Sequence, residues 1–512
     1  MGEALISHRV KVHPSAAALP REAHLAWKIA EVAAATDRLE EQTIEIMRCR
    51  LLDSAAVALA AINRSPVAAA RAMALAHPRP DGATLIGLAH GTRVAAEWAA
   101  WANATAVREL DFNDTFLAAD YAHPSDAIPP LLAVAQQTHR NGSDLVRAIA
   151  VAYEIHVALV KAICLHEYKK DHVAHLCPAT VAGLGALLKL PVPVIFQAIN
   201  QAVHLAFSTR QSRKGDISSW KAFVPGFSGK LAIEVVDRAM RGERSPAPIY
   251  EGEDSVIAWM LGGPEMEYEV VLPEPGEARR AILETYPKAH SAEYQAQALI
   301  DLAIELADEI DDLAAVDEVV VATSHHTHTV IGTGSNDPQK FDPAASRETL
   351  DHSLMFILAV ALEDRRWHHE ASYTRERARR ASTRSLWRKV HTVEDPAWTV
   401  RYHEADPARR AFGGRIAIRL RDGRVIAGEK SVADAHPNGA RPWRWGDYVA
   451  KFEALTGAQL GAPELMRFPT LVRRLEDLEP EELIGLTPVS PAGLVAPAAP
   501  TGGGIFDYGA ET

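Results

Sequence analysis

Cysteine is scarce in this sequence: Cys49, Cys164 and Cys177 are the only three in 512 residues, and no pair has CxxC spacing. An odd, scattered set of thiols argues against a disulfide framework and for a reducing compartment. It also argues against an iron–sulfur cluster, which needs closely grouped thiolates. No stretch approaches about 18 uninterrupted apolar residues. The opening MGEALISHRVKVHPS lacks a basic segment followed by an apolar one, so a cytoplasmic protein without membrane contact is expected. Neither a P-loop nor a glycine fingerprint for a dinucleotide after a strand is present. Basic charge is in deficit, with 54 Lys and Arg against 66 Asp and Glu for a net charge of −12. That balance excludes a general nucleic-acid surface and requires any anionic ligand to find a local basic pocket.

What is abundant is small apolar side chain. The hydrophobic share is 48%, aromatic residues supply only 6%, and alanine makes up much of the rest, which favours closely packed helices. The length implies more than one domain. From 22 to 266 apolar residues recur at three and four, as in Ile44, Met47 and Leu51 or Ile149, Tyr153, Val157 and Val160. In Asn141-Gly142-Ser143-Asp144, Ser or Asp is placed to cap the helix that follows. Between 267 and 432 strand signals enter: Val319 to Val321 is a β-branched run, and Ile416, Ile418 and Leu420 alternate before Asp422-Gly423, a hairpin turn. Leu299, Leu302 and Leu306 mark a helix within the same region. Helical periodicity returns over 433–486, with Tyr448, Phe452 and Leu455. The Pro-, Ala- and Gly-rich stretch 487–512 reads as a flexible tail. The expected architecture is mainly α: a large all-helical domain (1–266 and 433–486) with an inserted, smaller α+β lid domain (267–432).

The densest polar cluster is Asp111, Asn113, Asp114 and Thr115, followed by His123-Pro124-Ser125-Asp126. A loop of helix caps and turns accounts for it. The sharper reading is a carboxylate and an imidazole serving as general acid and base, because eliminating water requires one proton removed and one hydroxyl protonated. A basic cluster, Arg210, Arg213, Lys214 and Lys221, is either a solvated helix end or a grip for carboxylates. Asp171-His172-Val173-Ala174-His175 and Lys288-Ala289-His290-Ser291-Ala292-Glu293 hold further histidines. The run His325-His326-Thr327-His328 raises a metal site, but it lacks a companion Cys or carboxylate pattern and reads better as a turn or site wall.

Taken together, DFNDTFLAADYAHPSD (111–126), DHVAH (171–175), SRKGDISSWKAF (212–223), KAHSAEYQAQ (288–297) and ETLDHSLMF (348–356) resemble the MmgE/PrpD family in order and spacing, over about residues 25 to 485. The resemblance implies a helical domain with an α+β lid, a homodimer, and a site between the two domains that works on a small tricarboxylate without a metal or other cofactor. The implied activity is removal of water from 2-methylcitrate, with cis-aconitate decarboxylation or a non-catalytic binding role as rivals. By the family pattern Asp111, Thr115 and His123 line the catalytic pocket with Lys221 as charged partner, and His290 and Lys288 approach from the lid. Asp111 or His123 serves as base and Lys221 or His290 as acid. Asn113, Asp114, His175, Arg210, Arg213, Lys214 and Lys288 are expected to bind substrate. The sequence departs from the family where Phe356 replaces a tyrosine, and a histidine of the sister decarboxylases falls close to Cys177, with His172 or His175 as the alternative alignment.

Overall fold

The computed structural model describes residues 6–36, 39–274, 276–497 and 504–507. Helices Glu41–Ala60, Ala96–Arg108, Gly142–Ala162, Val173–Leu188, Val192–Ala206 and Trp220–Met240 build the body. Their small residues set the packing distance. At Gly226 a Cβ would lie 2.7 Å from the Trp101 carbonyl oxygen, and at Gly183 it would lie 2.9 Å from that of Ala148, so larger side chains would force these helix pairs apart. Of the apolar stripes, Met47, Leu51, Ile149, Tyr153, Val157 and Val160 are buried. The Gly142–Ala162 helix is capped by Asn141, whose side chain accepts from the Asp144 amide at 2.9 Å. The expected Ser143 or Asp144 lies one turn too far into the helix for that role.

Three two-stranded ribbons accompany the body helices. One of them corrects the boundary at 267: Glu267–Leu272 pairs antiparallel with Ile6–Lys11, and Tyr268, Val270 and Leu272 enter the body core. This strand therefore belongs with the far N-terminus rather than with the lid.

The lid has its own core, formed by residues between Ala292 and Ile426. Its mixed four-stranded sheet runs Val425–Lys430, Gly414–Leu420, Val316–Thr323, Val390–Glu394, with the last pair parallel and the others antiparallel. The hairpin forms at Asp422-Gly423, where Gly423 adopts φ +88° and the Leu420 amide donates to the Arg424 carbonyl at 2.8 Å. Leu299, Leu302 and Leu306 are buried on the Gln297–Ala307 helix. Phe116, Leu117, Val157 and Val160 of the body meet Tyr286, Tyr294, Tyr402 and Phe412 in a third apolar cluster that joins lid to body.

The Trp445–Thr456 helix then returns to pack on Glu41–Ala60, burying Tyr448, Phe452 and Leu455. Residues 487–497, expected as the start of a flexible tail, are fixed to the body. Gly87 donates to Pro488 O at 2.8 Å, Asn63 Nδ2 to Leu494 O at 2.9 Å and Arg71 Nη2 to Ala496 O at 2.6 Å. Backbone pairing is indifferent to the Pro and Ala composition on which the tail reading rested. The rest of that expected tail lies largely outside the described residues.

Candidate active site

Asp111 sits just beyond the Ala96–Arg108 helix in a left-handed conformation (φ 49°), with its amide donating back to Arg108 O at 3.1 Å. A non-glycine residue there costs about 1–2 kcal/mol, and the turn directs the carboxylate into a ring of cations. Arg108 Nη1 lies 2.5 Å and Lys288 Nζ 2.7 Å from Oδ1, while Lys221 Nζ lies 2.9 Å from Oδ2. Lys288 also donates to the Asp111 carbonyl at 3.0 Å. Lys221, in the first turn of Trp220–Met240, continues to Asp351 at 3.0 Å, and Asp351 is held in turn by Arg347 at 3.1 Å and by His352. Burial alone would raise the Asp111 carboxyl, but Arg108, Lys221 and Lys288 override it and hold it well below the usual carboxylate range.

His123 opens the short turn Pro124–Ala127. Its Nδ1 lies 2.9 Å from the Asp114 carbonyl and 3.2 Å from Thr115 Oγ1. A carbonyl can only accept, so Nδ1 carries the proton. Burial and the charges of Arg108 and Lys288 hold the imidazole well below its ordinary pKa, so the ring is neutral and Nε2 keeps a free lone pair. That Nε2 lies 3.8 Å from Asp111 Oδ1.

Both groups line a chamber of about 50 Å³, whose wall also includes Arg108, His172, Lys288, Glu293 and His352. The chamber shares His166, Lys170, Arg210, Arg213 and Val330 with an outer cleft of about 1010 Å³. The cleft carries six Lys and Arg side chains against two carboxylates, an inversion of the chain's net −12. In the chamber wall, the buried Arg108 Nε and Arg213 Nη1 have no hydrogen-bond partner among the described residues. Buried donors left unpaired are costly, although each guanidinium already faces a carboxylate, Arg108 that of Asp111 and Arg213 that of Asp171. His172 Nε2 is likewise unpartnered, while its Nδ1 lies 3.3 Å from Asp171. Glu293 is the remaining titratable group of note: burial raises its carboxyl to about 7, against the opposing charge of Lys288.

Among the described residues one group, Asp111, Asp351 and His352, has ligand-type atoms close enough to share a metal ion. Lys221 Nζ stands 2.9 Å from Asp111, 3.0 Å from Asp351 and 3.4 Å from His352 Nδ1, and so occupies the position a cation would take.

Residues 23–269 match the MmgE/PrpD N-terminal domain and residues 290–477 the MmgE/PrpD C-terminal domain. The chain belongs to the MmgE/PrpD family. Its curated relatives include the mitochondrial 2-methylcitrate dehydratase of Yarrowia lipolytica, 26% identical over 335 residues, 63% of this chain and 62% of that protein. The 2-methylcitrate dehydratases of Salmonella typhimurium and Escherichia coli K12 are each 25% identical over 62% of this chain and 66% of theirs. The chain thus aligns with slightly under two thirds of the length of these relatives. No helix among the described residues is long and apolar enough to cross a membrane.

The two family segments meet at the chamber, since Arg108, Asp111 and His123 come from the first and Glu293 and His352 from the second. Lys288, from the short link between them, also faces it. Arg210 and Arg213 line chamber and cleft, and Lys214 the cleft alone. Other expected residues stand elsewhere. Thr115 backs His123, Asn113 donates to Asp126 at 2.9 Å, and Asp114 receives the Ser125 amide at 3.0 Å and Tyr153 at 2.9 Å. Lys221 lies behind the wall, within the Asp111 and Asp351 pairs. His290 turns away to Asp301, 2.8 Å from its Nε2, and lines neither space. His175 is spent on the Ile163 carbonyl at 3.0 Å, and His172, three residues earlier, faces the chamber instead.

Cys177 is buried against the Ser228 carbonyl, and Phe356 lies in the lid core, 5.0 Å ring to ring from Trp387. His325 and His326 form cleft wall, with His326 Nε2 3.0 Å from that of His403. Arg108, Glu293 and His352, which line the chamber, and Asp351, which pairs with Lys221, were not among the expected residues. Three of them lie inside or beside quoted family segments, and Arg108 carried the signal of a cation three residues before Asp111.

Proposed function

We propose that this chain is a carbon–oxygen lyase that removes water from 2-methylcitrate to give 2-methyl-cis-aconitate. The observation that carries the reading is His123: a buried neutral imidazole lining a chamber in whose wall Arg108 Nε and Arg213 Nη1 have no hydrogen-bond partner among the described residues. The chamber of about 50 Å³ is too small for a whole tricarboxylate, given roughly 30 Å³ for a single water. The substrate therefore spans chamber and throat, with carboxylates on Arg108 and Arg213 inside and on Arg210, Lys170 and Lys214 outside.

In the proposed reaction His123 Nε2 takes the proton beside a carboxylate. The positive charge of Arg108, Arg213 and Lys288 stabilises the enolate-like character that develops there. Glu293, half protonated near neutrality, gives its proton to the departing tertiary hydroxyl. One C–H and one C–O bond break, one C=C bond forms, and water leaves. The imidazolium and the Glu293 carboxylate are then reset by proton exchange with solvent. Asp111 is too well neutralised to be an effective base and serves to anchor the cations. Lys221 and His290 are engaged with other carboxylates, which leaves the acid role to Glu293.

The test is incubation of purified protein with 2-methylcitrate, citrate and cis-aconitate in separate reactions. Growth of unsaturated-acid absorbance with 2-methylcitrate supports the reading. Carbon dioxide from cis-aconitate would replace it with decarboxylation, and no turnover of any acid by correctly folded protein would point to a binding role.

A further inference from the structure

Behind the chamber, and lining neither chamber nor cleft, the returning Trp445–Thr456 helix delivers a buried ammonium group to an unusual place. Lys451 Nζ donates to the Phe112 carbonyl at 2.9 Å and to the Lys288 carbonyl at 3.0 Å, and lies 2.7 Å from Asp53 Oδ1. It also sits 3.8 Å from the centroid of the Phe112 ring.

We infer that Lys451 is a positioning residue of this site, tying the Asp111 turn to the Lys288 segment from behind so that the two side chains meet in front. The inference rests on the reading of the site given above. Neither tied carbonyl belongs to a helix or a strand, and the backbone pairing between the two segments, Thr115 with Tyr286 at 3.0 and 2.8 Å, lies three residues from Phe112 and two from Lys288, so it does not itself hold these two carbonyls together. Phe112 follows the left-handed Asp111 directly, and Lys288 is the residue whose own Nζ holds both Asp111 O and Oδ1. The contacts close a loop: Lys451 to Phe112, Asp111 to Lys288, and Lys288 back to Lys451. Without the ammonium, two carbonyl dipoles would be left pointing at a common buried space, and the relief is for the segments to part.

Parting them withdraws the Lys288 charge from His123. That imidazole faces Asp111, Arg108, Lys288 and His172, with the Asp114 carbonyl on Nδ1. Burial and the Arg108 and Lys288 charges lower its pKa, so retreat of Lys288 raises it.

The experiment follows His123 directly, by NMR titration of its ring C–H signal, assigned by its loss in His123→Gln. Wild-type protein is compared with Lys451→Met and Lys451→Gln, the second keeping amide donors should the first fail to fold. The expected result is an upward shift of the His123 midpoint by about half a pH unit or more, a roughly 10- to 100-fold fall in kcat with a smaller change in KM, and partial recovery of both in Lys451→Arg. A general loss of stability would lower the melting temperature without moving the His123 midpoint of the folded molecules. An unchanged midpoint in a folded Lys451 variant overturns the inference. If the wild type dehydrates none of the acids, the proposed function fails while the titration still decides the role of Lys451.

Discussion

His123 and Asp111 face each other at 3.8 Å, Nε2 to Oδ1, yet only one of them is fit to accept a proton. Arg108, Lys221 and Lys288 satisfy the Asp111 carboxylate, and the same positive surroundings keep the imidazole neutral.

Replacing His123 by Ala should therefore lower kcat by at least about a hundredfold. The melting temperature should change little, because the ring's one protein hydrogen-bond donor serves a loop carbonyl. A near-normal rate of unsaturated-acid formation would remove His123 from the base role.

The pH dependence follows from two opposite shifts. His123 works deprotonated, and its pKa lies below the ordinary 6.5, so kcat/KM should rise with pH through a midpoint below that value. Glu293 works protonated, and its carboxyl is raised to about 7, so the rate should fall as pH passes about 7. The expected profile is a bell, and Glu293→Gln should lower the maximum and abolish the alkaline limb. A wild-type profile that stays flat to pH 9 would exclude Glu293 as the acid.

Arg213 offers an unpaired buried Nη1 to the chamber while its Nε lies 3.2 Å from Asp171. Arg213→Met should raise KM for a tricarboxylate by roughly 10- to 100-fold, the worth of a hydrogen bond to a charged group of about 1.5–3 kcal/mol. A smaller change in kcat is expected. Steady-state kinetics over a wide substrate range separates the two parameters.

Because Lys221 fills the space between Asp111, Asp351 and His352, treatment with a strong chelator should leave the rate unchanged. Loss of activity on chelation, restored by a divalent cation, would show that Lys221 yields that position to a metal.

Much of the fold was legible in local pattern. The hairpin at Asp422-Gly423 was readable because one turn type demands those residues, and the Leu299, Leu302 and Leu306 face because a helix repeats. Pairing of Ile6–Lys11 with Glu267–Leu272 was not, since nothing local to either strand names a partner so distant in the chain. In the candidate site, the polar density of 111–126 pointed to a segment that lines the chamber. The choice between Lys288 and His290 could not be read, because that segment has neither helical nor strand periodicity to assign a face. The same holds for His172 and His175: the first precedes the Val173–Leu188 helix, and the second is turned into the core by it. Glu293 carried no local signal that set it apart: it caps the short helix that follows through the Gln295 amide, and its burial comes only from tertiary packing.

The return of the Trp445–Thr456 helix onto Glu41–Ala60 has a consequence for the order in which the molecule is made. The body's core lacks Tyr448, Phe452 and Leu455 until synthesis has passed residue 455, so the ribosome completes the lid before the scaffold that carries it can close. The early helices therefore wait with an unfilled apolar groove, and any pause in translation between the two leaves that groove open to the surrounding medium.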